Sequence, residues 1–570
     1  MTAPFGRAAL LLRTVRHLRT RQVAHRLLRL VRKPGVPQAP DARWASDRAH
    51  RLLARLAELG PVGGAAHAEA QARAWLEGSL VWLGVTVPWA GDWRMRGPSP
   101  LWRYHLQYHE HLADAAWLAG RDGDAAVARR ISSELQAWHE AWKDGGAPTW
   151  DGYPVAVRLV SWLRILAWAG PLLEDRDRLF IERGIATHTL HLSRSLEWHI
   201  DGNHLLRDTW ALALGAAVLE GPWAERLQRE SVDLFEATLA EQVLPDGWHE
   251  ERTPMYHARA LRDALEVRLG LDAAGTSLSP AATGRIDAML AALPWMQRPD
   301  GTLWHLNDTA DDHGVDLERL LALRRAPIPD GVRHFDAAHA VVLIDPCGDR
   351  LRLDLGAPAP AHQPGHAHAG ALGFEYDVAG VPFIADGGCS GYDGDPWREY
   401  LRGTSAHSTL TVDGRDQSEL WATFRMGARA SVTDQRVAGA AHDFTASARV
   451  RPYHARGTEH RREFSRRDRT VTITDLVTGA VGRRVEGFVH FAPEWEAEAA
   501  GAGRFVLRHP RARVVVTVEA DAQATLHRGE RAPVIGWRAR GFNDVVPSWT
   551  LRLREDRYAG RPWRMTFTPS

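Results

Sequence analysis

Two histidines one residue apart lie in the segment HAHAGALGFEYDVAGVPFIAD. The alternation of apolar and polar residues there predicts β-strands. Residues i and i+2 of a strand share a face, so His366 and His368 should point the same way. Asp386 ends the next apolar run, and His407 opens the strand HSTLTV. Adjacent strands would bring His368, Asp386 and His407 together, and two imidazoles with one carboxylate are a suitable ligand set for zinc, with a fourth position for water or another group.

A second group of polar residues lies in a part of the chain with helical periodicity. The segment DGNHLLRD places Asn203 and His204 at a Gly-marked helix start, where backbone N–H groups favour an anion. The segment PDGWHEERTPMYHARALRDALE carries Glu251 and Tyr256 before another helix, and WHLNDTADDHG adds Asp308. Loops at helix starts commonly carry function, so these residues form a second candidate site. Each of them taken alone would also fit a helix cap or a solvated side chain.

Two kinds of structure must position these groups. From about 41 to 325, apolar residues recur every three or four positions, and several segments end on Gly, which predicts paired helices and favours an α/α toroid, an incomplete barrel. The following segments, such as RTVTITDLVTG and ARVVVTVEA, alternate with period two and predict a large antiparallel β-sandwich. We therefore predict a multidomain chain, α then β, with an N-terminal extension over 1–40, the toroid over 41–328 and the sandwich over 329–570.

The composition excludes some classes of protein. Lys+Arg (71) and Asp+Glu (70) nearly cancel in 570 residues, which argues against a dedicated nucleic-acid binder. Two cysteines cannot form a disulfide framework. The 24 tryptophans fit either core packing or stacking platforms for sugar rings.

The N-terminal extension is strongly basic. The segment FGRAALLLRTVRHLRTRQVAHRLLRLVRKPG contains eight arginines and a lysine, and no acid precedes Asp41. Leu11, Val15 and Leu18 have helical spacing, which predicts an amphipathic helix that either packs on the protein with its arginines in water or touches an anionic membrane surface. The apolar run is too short for a transmembrane helix, and no secretory cleavage site follows it. We therefore expect a cytoplasmic or periplasmic protein.

Five segments, in order, resemble the landmarks of the heparinase II/III-like polysaccharide lyases and their alginate-lyase relatives. They are DGNHLLRDTWALALGAAVLEG, PDGWHEERTPMYHARALRDALE, LNDTADDHG, HAHAGALGFEYDVAGVPFIADGG and YDGDPWREYLRGTSAHSTLTVDGRDQSELW. The resemblance extends from about residue 100 to the late strands. It implies an α/α toroid joined to an antiparallel sandwich, and cleavage of a uronic-acid-containing polysaccharide by β-elimination to a 4,5-unsaturated product.

The resemblance also implies roles for individual residues. Asn203 and His204 would neutralise the uronate carboxylate, Tyr256 would be the catalytic tyrosine, and His366 would be a proton-transfer partner. It implies the zinc ligands His368, Asp386 and His407, the same three that strand geometry groups together, with zinc in a structural or orienting role. Two departures stand out: Gly370 replaces an acid that is frequent in the family, and His105 stands where relatives often have Asn.

The chemistry of β-elimination leaves alternatives open. Neutralising the carboxylate makes the C5 proton more acidic, and a base and an acid must then reach C5 and O4. Tyr256 would do both if the proton and the leaving group lie on the same face. Otherwise His366 would be the base and Tyr256 the acid, and in either case a nearby cation should lower the pKa of Tyr256. A catalytic zinc–water would be a different mechanism.

Further residues are candidates for substrate contact in a cleft between the two domains. They are Glu251, Trp102, Tyr108, Arg158 and Arg402. Two rival functions also fit the sequence: a glycoside hydrolase with Glu251 and Asp308 as its carboxylate pair, and a non-catalytic glycan-binding or assembly protein of polysaccharide biosynthesis. The sequence leaves the polymer open among heparan, chondroitin or hyaluronan, alginate and exopolysaccharide types, and it leaves the oligomeric state open.

Overall fold

A computed structural model of the chain describes residues 4–31, 34–38, 42–312, 314–324 and 330–570. Both predicted domain boundaries, at 40/41 and 328/329, lie outside the described residues. The predicted order of helices first and strands second is confirmed. The α-helices are Pro4–Val15 (α1), Thr20–Val31 (α2), Ser46–Glu58 (α3), Ala65–Leu76 (α4), Pro100–Leu106 (α5), Glu110–Asp122 (α6), Ala125–Trp142 (α7), Gly152–Ala169 (α8), Asp175–Ser195 (α9), Gly202–Ala217 (α10), Pro222–Gln242 (α11), Pro254–Ala274 (α12), Pro280–Met296 (α13), Leu317–Ala322 (α14) and Pro396–Arg402 (α15).

The helices from α3 to α13 form the predicted toroid. Helix α8 packs against α6, α9 and α10, while α10 also packs against α11 and α12. Helix α3 contacts both α8 and α12, so the beginning of the helical region lies beside its end. Much of the tryptophan content is core packing here, since Trp75, Trp138, Trp162 and Trp210 are all fully buried.

Helix α8 and the turn after it form the most apolar stretch of the toroid. The segment Gly152–Leu172 is long and apolar enough to cross a membrane, with a mean hydropathy of 1.3, but 78% of it is buried inside the protein. Neighbouring helices therefore cover this segment as part of the toroid core.

The strands form antiparallel sheets throughout the second half of the chain. The strands are Arg43–Trp44 (β1), Ser79–Trp82 (β2), Val85–Pro88 (β3), Leu219–Glu220 (β4), Gly331–Phe335 (β5), Ala340–Ile344 (β6), Arg350–Asp354 (β7), Phe374–Val378 (β8), Val381–Ile384 (β9), Leu410–Val412 (β10), Leu420–Trp421 (β11), Arg425–Met426 (β12), Ser431–Ala440 (β13), Asp443–Arg451 (β14), Glu459–Arg467 (β15), Thr470–Thr478 (β16), Val485–His490 (β17), Glu496–Ala499 (β18), Arg504–His509 (β19), Ala512–Glu519 (β20), Gln523–Arg528 (β21), Glu530–Arg531 (β22), Val534–Ile535 (β23), Trp537–Gly541 (β24), Asp544–Pro547 (β25), Trp549–Glu555 (β26) and Trp563–Pro569 (β27). In the second half of the chain, β5 to β9 pair in chain order, a second sheet has the order β13-β14-β15-β16-β27-β20-β19-β18, and a third has the order β10-β17-β26-β21.

Burial differs between the sheets. Strands β14 and β16 alternate between covered and open positions, as period two predicts, whereas every residue of β6 and β8 is buried. Strand β8 is covered on both faces because the toroid packs against it. Arg298 of the toroid lies 2.8 Å from Asp377 and 3.3 Å from Glu375, both on β8, and all three side chains are fully buried. Loss of one partner from such a buried network costs about 3–5 kcal/mol, so this network fixes the two domains together.

The N-terminal helices α1 and α2 pack on the body of the protein and contact both domains. Arg13 of α1 donates two hydrogen bonds to Glu419, of 2.7 and 2.6 Å. Arg21 of α2 donates to Asp201, 3.0 Å away, and Gln22 is fully buried. These arginines therefore bind acids of the body, whereas the sequence analysis predicted that they would lie in water. The predicted membrane contact is a separate matter and stays a prediction.

Candidate active site

A cavity of about 1030 Å³ lies between the toroid and the sheets. The toroid contributes Asn203, His204 and Tyr256 to its wall, and the β-region contributes His366 and Tyr392. The structure thus brings the four residues assigned to catalysis into one cavity. A site shared between two domains is a common location for ligands.

Tyr256 and His366 are in direct contact although they are far apart in the chain. Tyr256 lies in the first turn of α12, after Pro254, and its ring stacks on His366 with 4.1 Å between centroids and 18° between planes. Its hydroxyl lies 2.7 Å from the hydroxyl of Tyr392. Burial raises the pKa of Tyr256 well above its ordinary value. The expectation of a lowered pKa is therefore wrong for the substrate-free protein, in which Tyr256 is a neutral proton donor.

Glu251 fixes the ring of His366 through a hydrogen bond to its Nδ1 atom. Its Oε2 lies 2.6 Å from Nδ1 of His366, and its Oε1 accepts a 3.0 Å hydrogen bond from the backbone N–H of Asn203. Burial opposes ionisation of Glu251, but His366 outweighs it and lowers the pKa of the carboxyl group to about 2. An ionised carboxylate only accepts hydrogen bonds, so Nδ1 of His366 carries a proton, and the base form of the ring has its lone pair on Nε2.

A strained turn positions Asn203 and His204. Asp201 and Gly202 have φ values of 69° and 57°, and a Cβ on Gly202 would lie 2.9 Å from Oε1 of Glu251. Glycine suits this turn because it adopts positive φ without steric cost. The side-chain oxygen of Asn203 has no hydrogen-bond partner in the part of the chain that the structure describes.

Glu197 orients His204 in the same way as Glu251 orients His366. Its Oε2 lies 2.6 Å from Nδ1 of His204. Burial opposes ionisation of Glu197, but His204 outweighs it and lowers the pKa of this carboxyl group. The Nδ1 atom of His204 is therefore a donor to Glu197, and its other nitrogen is left for the cavity that His204 lines.

The predicted metal ligands form a separate cluster. His368, Asp386 and His407 are buried and offer ligand atoms within 4.8 Å of one another. Asp308 lies 2.7 Å from Nε2 of His368 and 2.8 Å from Nη2 of Arg398. Burial opposes ionisation of Asp308, but Arg398 and His368 outweigh it and hold the pKa of this carboxylate below its usual range.

The donor set suits a metal ion. Because ionised Asp308 accepts from Nε2, the lone pair of His368 is on Nδ1, and that atom is buried without a partner among the described residues. A carboxylate behind a histidine is the usual outer arrangement of a zinc ligand. His368, Asp386 and His407 line a small pocket of their own and do not line the large cavity.

Four of the five predicted substrate contacts lie in the interior, and Glu251, which binds His366, is one of them. Tyr108 does line the cavity, but Trp102 is 1% exposed and packs on Trp82, with 5.0 Å between ring centroids. Arg158 is fully buried and donates 3.0 Å hydrogen bonds to two backbone carbonyls of the toroid. Arg402 also donates to backbone carbonyls, among them that of Ala367. The structure therefore gives Trp102, Arg158 and Arg402 packing roles. Trp102 belongs to the core of the toroid, and the guanidinium groups of Arg158 and Arg402 bind backbone carbonyls.

The two departures from the family pattern have local explanations. A Cβ on Gly370 would lie 2.8 Å from Cγ of His407, so an acid at this position would displace that ring. His105 lines the cavity, and burial lowers its pKa to about 4. It is therefore neutral at pH 7 and offers one donor and one acceptor, which an asparagine side chain also does.

Sequence reasoning missed Tyr392 and Glu197. Tyr392 lies in the Gly-rich loop GGCSGYDGD, which has no periodicity that would place it near Tyr256. Glu197 had a weak signal, since it is an acid seven residues before His204, just ahead of the Gly-marked turn.

Comparisons with known proteins agree with this architecture. Residues 169–323 match the family model described as heparinase II/III N-terminus, and residues 331–558 match the one described as heparinase II/III-like, C-terminal. The two matches together cover more than half of the chain. No curated protein sequence matches it.

Solved structures share the fold. The chain is similar to a mutant of the heparan sulfate lyase HepC from Pedobacter heparinus, with 14% identity and a TM-score of 0.63, over 88% of this chain and 82% of that one. It is also similar to heparinase III, with 15% identity and a TM-score of 0.68, over 84% of this chain and 79% of that one. At such identities the likeness extends to the fold alone.

Proposed function

Because the chain belongs to the heparinase II/III-like family of polysaccharide lyases, we propose that it cleaves a uronic-acid-containing, glycosaminoglycan-like polysaccharide by β-elimination to a 4,5-unsaturated product. The observation that carries this proposal is the stacked pair Tyr256–His366, backed by Glu251, in one cavity with Asn203 and His204. These groups are the parts that β-elimination needs: donors for a carboxylate, a base and an acid.

Asn203 and His204 bind the carboxylate of the uronate in this proposal. The amide of Asn203 and the cavity-side nitrogen of His204 donate to the carboxylate oxygens, while Glu197 holds Nδ1 of His204 and so fixes the orientation of the ring. Donors directed at developing negative charge contribute about 3–4 kcal/mol each to such a transition state.

Proton transfer then involves His366 and Tyr256. Nε2 of His366 takes the C5 proton, the electron pair of that bond forms the C4–C5 double bond, and the C4–O4 bond breaks. The neutral phenol of Tyr256 gives its proton to O4, and its phenolate regains a proton from His366, on which it stacks, or from water. The two rings stack, so base and acid approach the same face of the sugar. The sequence argument gave both jobs to Tyr256 in that case, but burial keeps its phenol protonated, so His366 is the base in this proposal.

We further propose that His368, Asp386 and His407 hold zinc. Bound there, zinc would supply a fixed positive charge that anchors the loop carrying His366, two residues before His368. These three residues line a pocket separate from the large cavity. An orienting role fits this position better than attack by a metal-bound water.

Glycoside hydrolysis by the predicted carboxylate pair, Glu251 and Asp308, fits the geometry poorly. It needs one carboxylic acid that keeps its proton, but the pKa of Glu251 falls to about 2 beside His366, and that of Asp308 is also lowered beside Arg398. Both carboxylates are committed to neighbouring side chains.

The test is a screen of ultraviolet absorbance against heparan-, chondroitin-, hyaluronan- and alginate-type polymers. We expect absorbance from the conjugated double bond with at least one polymer, and a fall of about 10³-fold in kcat for Tyr256→Phe. Tyr453→Phe, a partly exposed tyrosine of the sandwich, is the matched control and should keep full turnover. Full turnover of Tyr256→Phe would reject this role for the phenol.

A further inference from the structure

The N-terminal helices α1 and α2 hold together the two walls of the cavity. Arg13 of α1 binds Glu419, and Trp421 donates a 3.0 Å hydrogen bond to Oγ1 of Thr14, so α1 is fixed to the β11–β12 hairpin. Arg21 of α2 binds Asp201, which begins the turn that carries Asn203 and His204. The segment that lies outside the matched family regions is therefore in contact with both sides of the site.

The same helices also form part of the cavity wall. Leu11, Val15 and Leu18 line the cavity with apolar side chains, and Arg26 of α2 lines it with a guanidinium group. An N-terminal extension in this position can contact a bound polymer directly.

Three arginines of this wall have no acidic partner among the described residues: Arg26, Arg425 and Arg429. Arg26 donates a 3.0 Å hydrogen bond to the carbonyl of His199, and Arg429 donates to the carbonyl of Ala361. Arg425 lies over the ring of Trp421, 4.9 Å from its centroid. Arg13 and Arg21 of the same two helices differ from them, because each binds an acid.

Arg26 and Arg425 are close enough for their charges to interact, and Arg429 is close to the charge of Arg16. Burial and then the charge of Arg425 lower the pKa of Arg26. Burial and then the charge of Arg16 lower the pKa of Arg429 to about 10. Unbalanced positive charge in a partly covered wall favours an anionic ligand that would neutralise it.

The arginines flank the catalytic groups. Arg425 follows Phe424, whose ring lies edge-on to His366 with 6.2 Å between centroids. Arg26 binds the loop that contains His199, five residues before His204.

We propose that Arg26, Arg425 and Arg429 form an anion subsite, completed by the N-terminal helices, that binds a second acidic group of the polymer beside the uronate under attack. The inference rests on the proposed function and adds to it a substrate with acidic groups on neighbouring sugars. Carboxylates and sulfates share the oxyanion chemistry that guanidinium forks recognise.

The test compares Arg26→Gln, Arg425→Gln and the double variant with Arg7→Gln, an exposed arginine of α1 away from the cavity. Calorimetry measures Kd for uronate tetrasaccharides with and without sulfate, and kinetics measure KM and kcat. Exposed arginine contacts contribute modestly, so we expect a rise of about tenfold in Kd and KM for the double variant, with kcat within about twofold. Its affinity should also depend less on salt.

The outcomes separate the two proposals. A larger loss for the sulfated ligand supports a sulfate in the subsite, and an equal loss for both ligands supports a carboxylate. An unchanged Kd in the double variant, with an unchanged thermal midpoint and an active wild type, overturns the subsite alone. Absence of cleavage by the wild type overturns the proposed function, and the calorimetry still tests the subsite, because it needs no turnover.

Discussion

Carboxylate–histidine pairs occur both in the cavity and in the small pocket of His368, Asp386 and His407, here called the metal pocket. The surroundings of the histidine differ between the two. In the cavity, Glu251–His366 and Glu197–His204 are pairs 2.6 Å apart, and each histidine also borders a space large enough for a substrate. In the metal pocket, Asp308 binds His368 at 2.7 Å, but the other nitrogen of that ring is buried without a partner and lies near other ligand atoms. If the proposed roles hold, the surroundings of the second ring nitrogen decide whether a carboxylate–histidine pair serves proton transfer or metal binding.

The largest predicted effect is the loss of kcat when Glu251 loses its charge. It tests whether the Glu251–His366 pair serves proton transfer. In Glu251→Gln the side chain keeps its shape but loses the charge that fixes the tautomer of His366, so we expect kcat to fall about 10²-fold. Steady-state kinetics by ultraviolet absorbance measure this.

The neighbouring acid offers a matched control. Burial raises the pKa of Glu250 to about 8, so Glu250 is largely protonated at pH 7 and Gln resembles it. Glu250→Gln should keep kcat within about twofold. Equal losses in the two variants would show that packing, rather than the ionised pair, is responsible.

A second prediction concerns the metal pocket. Asp386→Asn removes one anionic ligand, so we expect metal analysis to find about one zinc per wild-type chain and little in the variant. Activity should fall about tenfold because His366 is misplaced. This is the usual loss when a residue that only positions a functional side chain is changed. Zinc in the variant at the wild-type amount would contradict this ligand set.

The pH dependence of the free energy of unfolding follows from the pKa of Glu251 in the folded protein, which is lowered to about 2. A carboxyl group with a lowered folded pKa contributes stability above its unfolded value, about 4.3, and this stability is lost as the pH falls toward 2. The contribution is about 3 kcal/mol at neutral pH. Urea unfolding between pH 5 and pH 3 should therefore show a shallower loss of stability in Glu251→Gln, and parallel curves would refute the assignment.

The smallest effect concerns the turn before Asn203. Gly202→Ala introduces a Cβ at positive φ against Glu251, so we expect a loss of about 1–3 kcal/mol in stability. Gly284→Ala, inside α13 with open space around its Cβ, is the control and should stabilise the protein by up to about 1 kcal/mol. Thermal unfolding distinguishes the two.

Sequence patterns predicted the fold and most of the site for physical reasons. Helical periodicity ended where the strands begin, but the prediction that His366 and His368 share a strand face was wrong. Both lie in the loop before β8, where His366 lines the cavity and His368 lines the small pocket. The roles of Arg158 and Arg402 were wrong, because arginines are rarely buried and a sequence does not show which backbone carbonyls will bind them. The contact between Arg13 and Glu419 joins residues 406 positions apart, so no local pattern could place the N-terminal helices at the site.

The central claim is that the polysaccharide is cleaved in this cavity by β-elimination and not by hydrolysis. Mass spectrometry of the fragments from a defined uronate oligosaccharide tests this most directly. The account predicts that the masses of the two fragments add up to that of the parent, with the ultraviolet-absorbing fragment lighter by one water than its hydrolytic counterpart. Fragments that together exceed the parent by one water would contradict it.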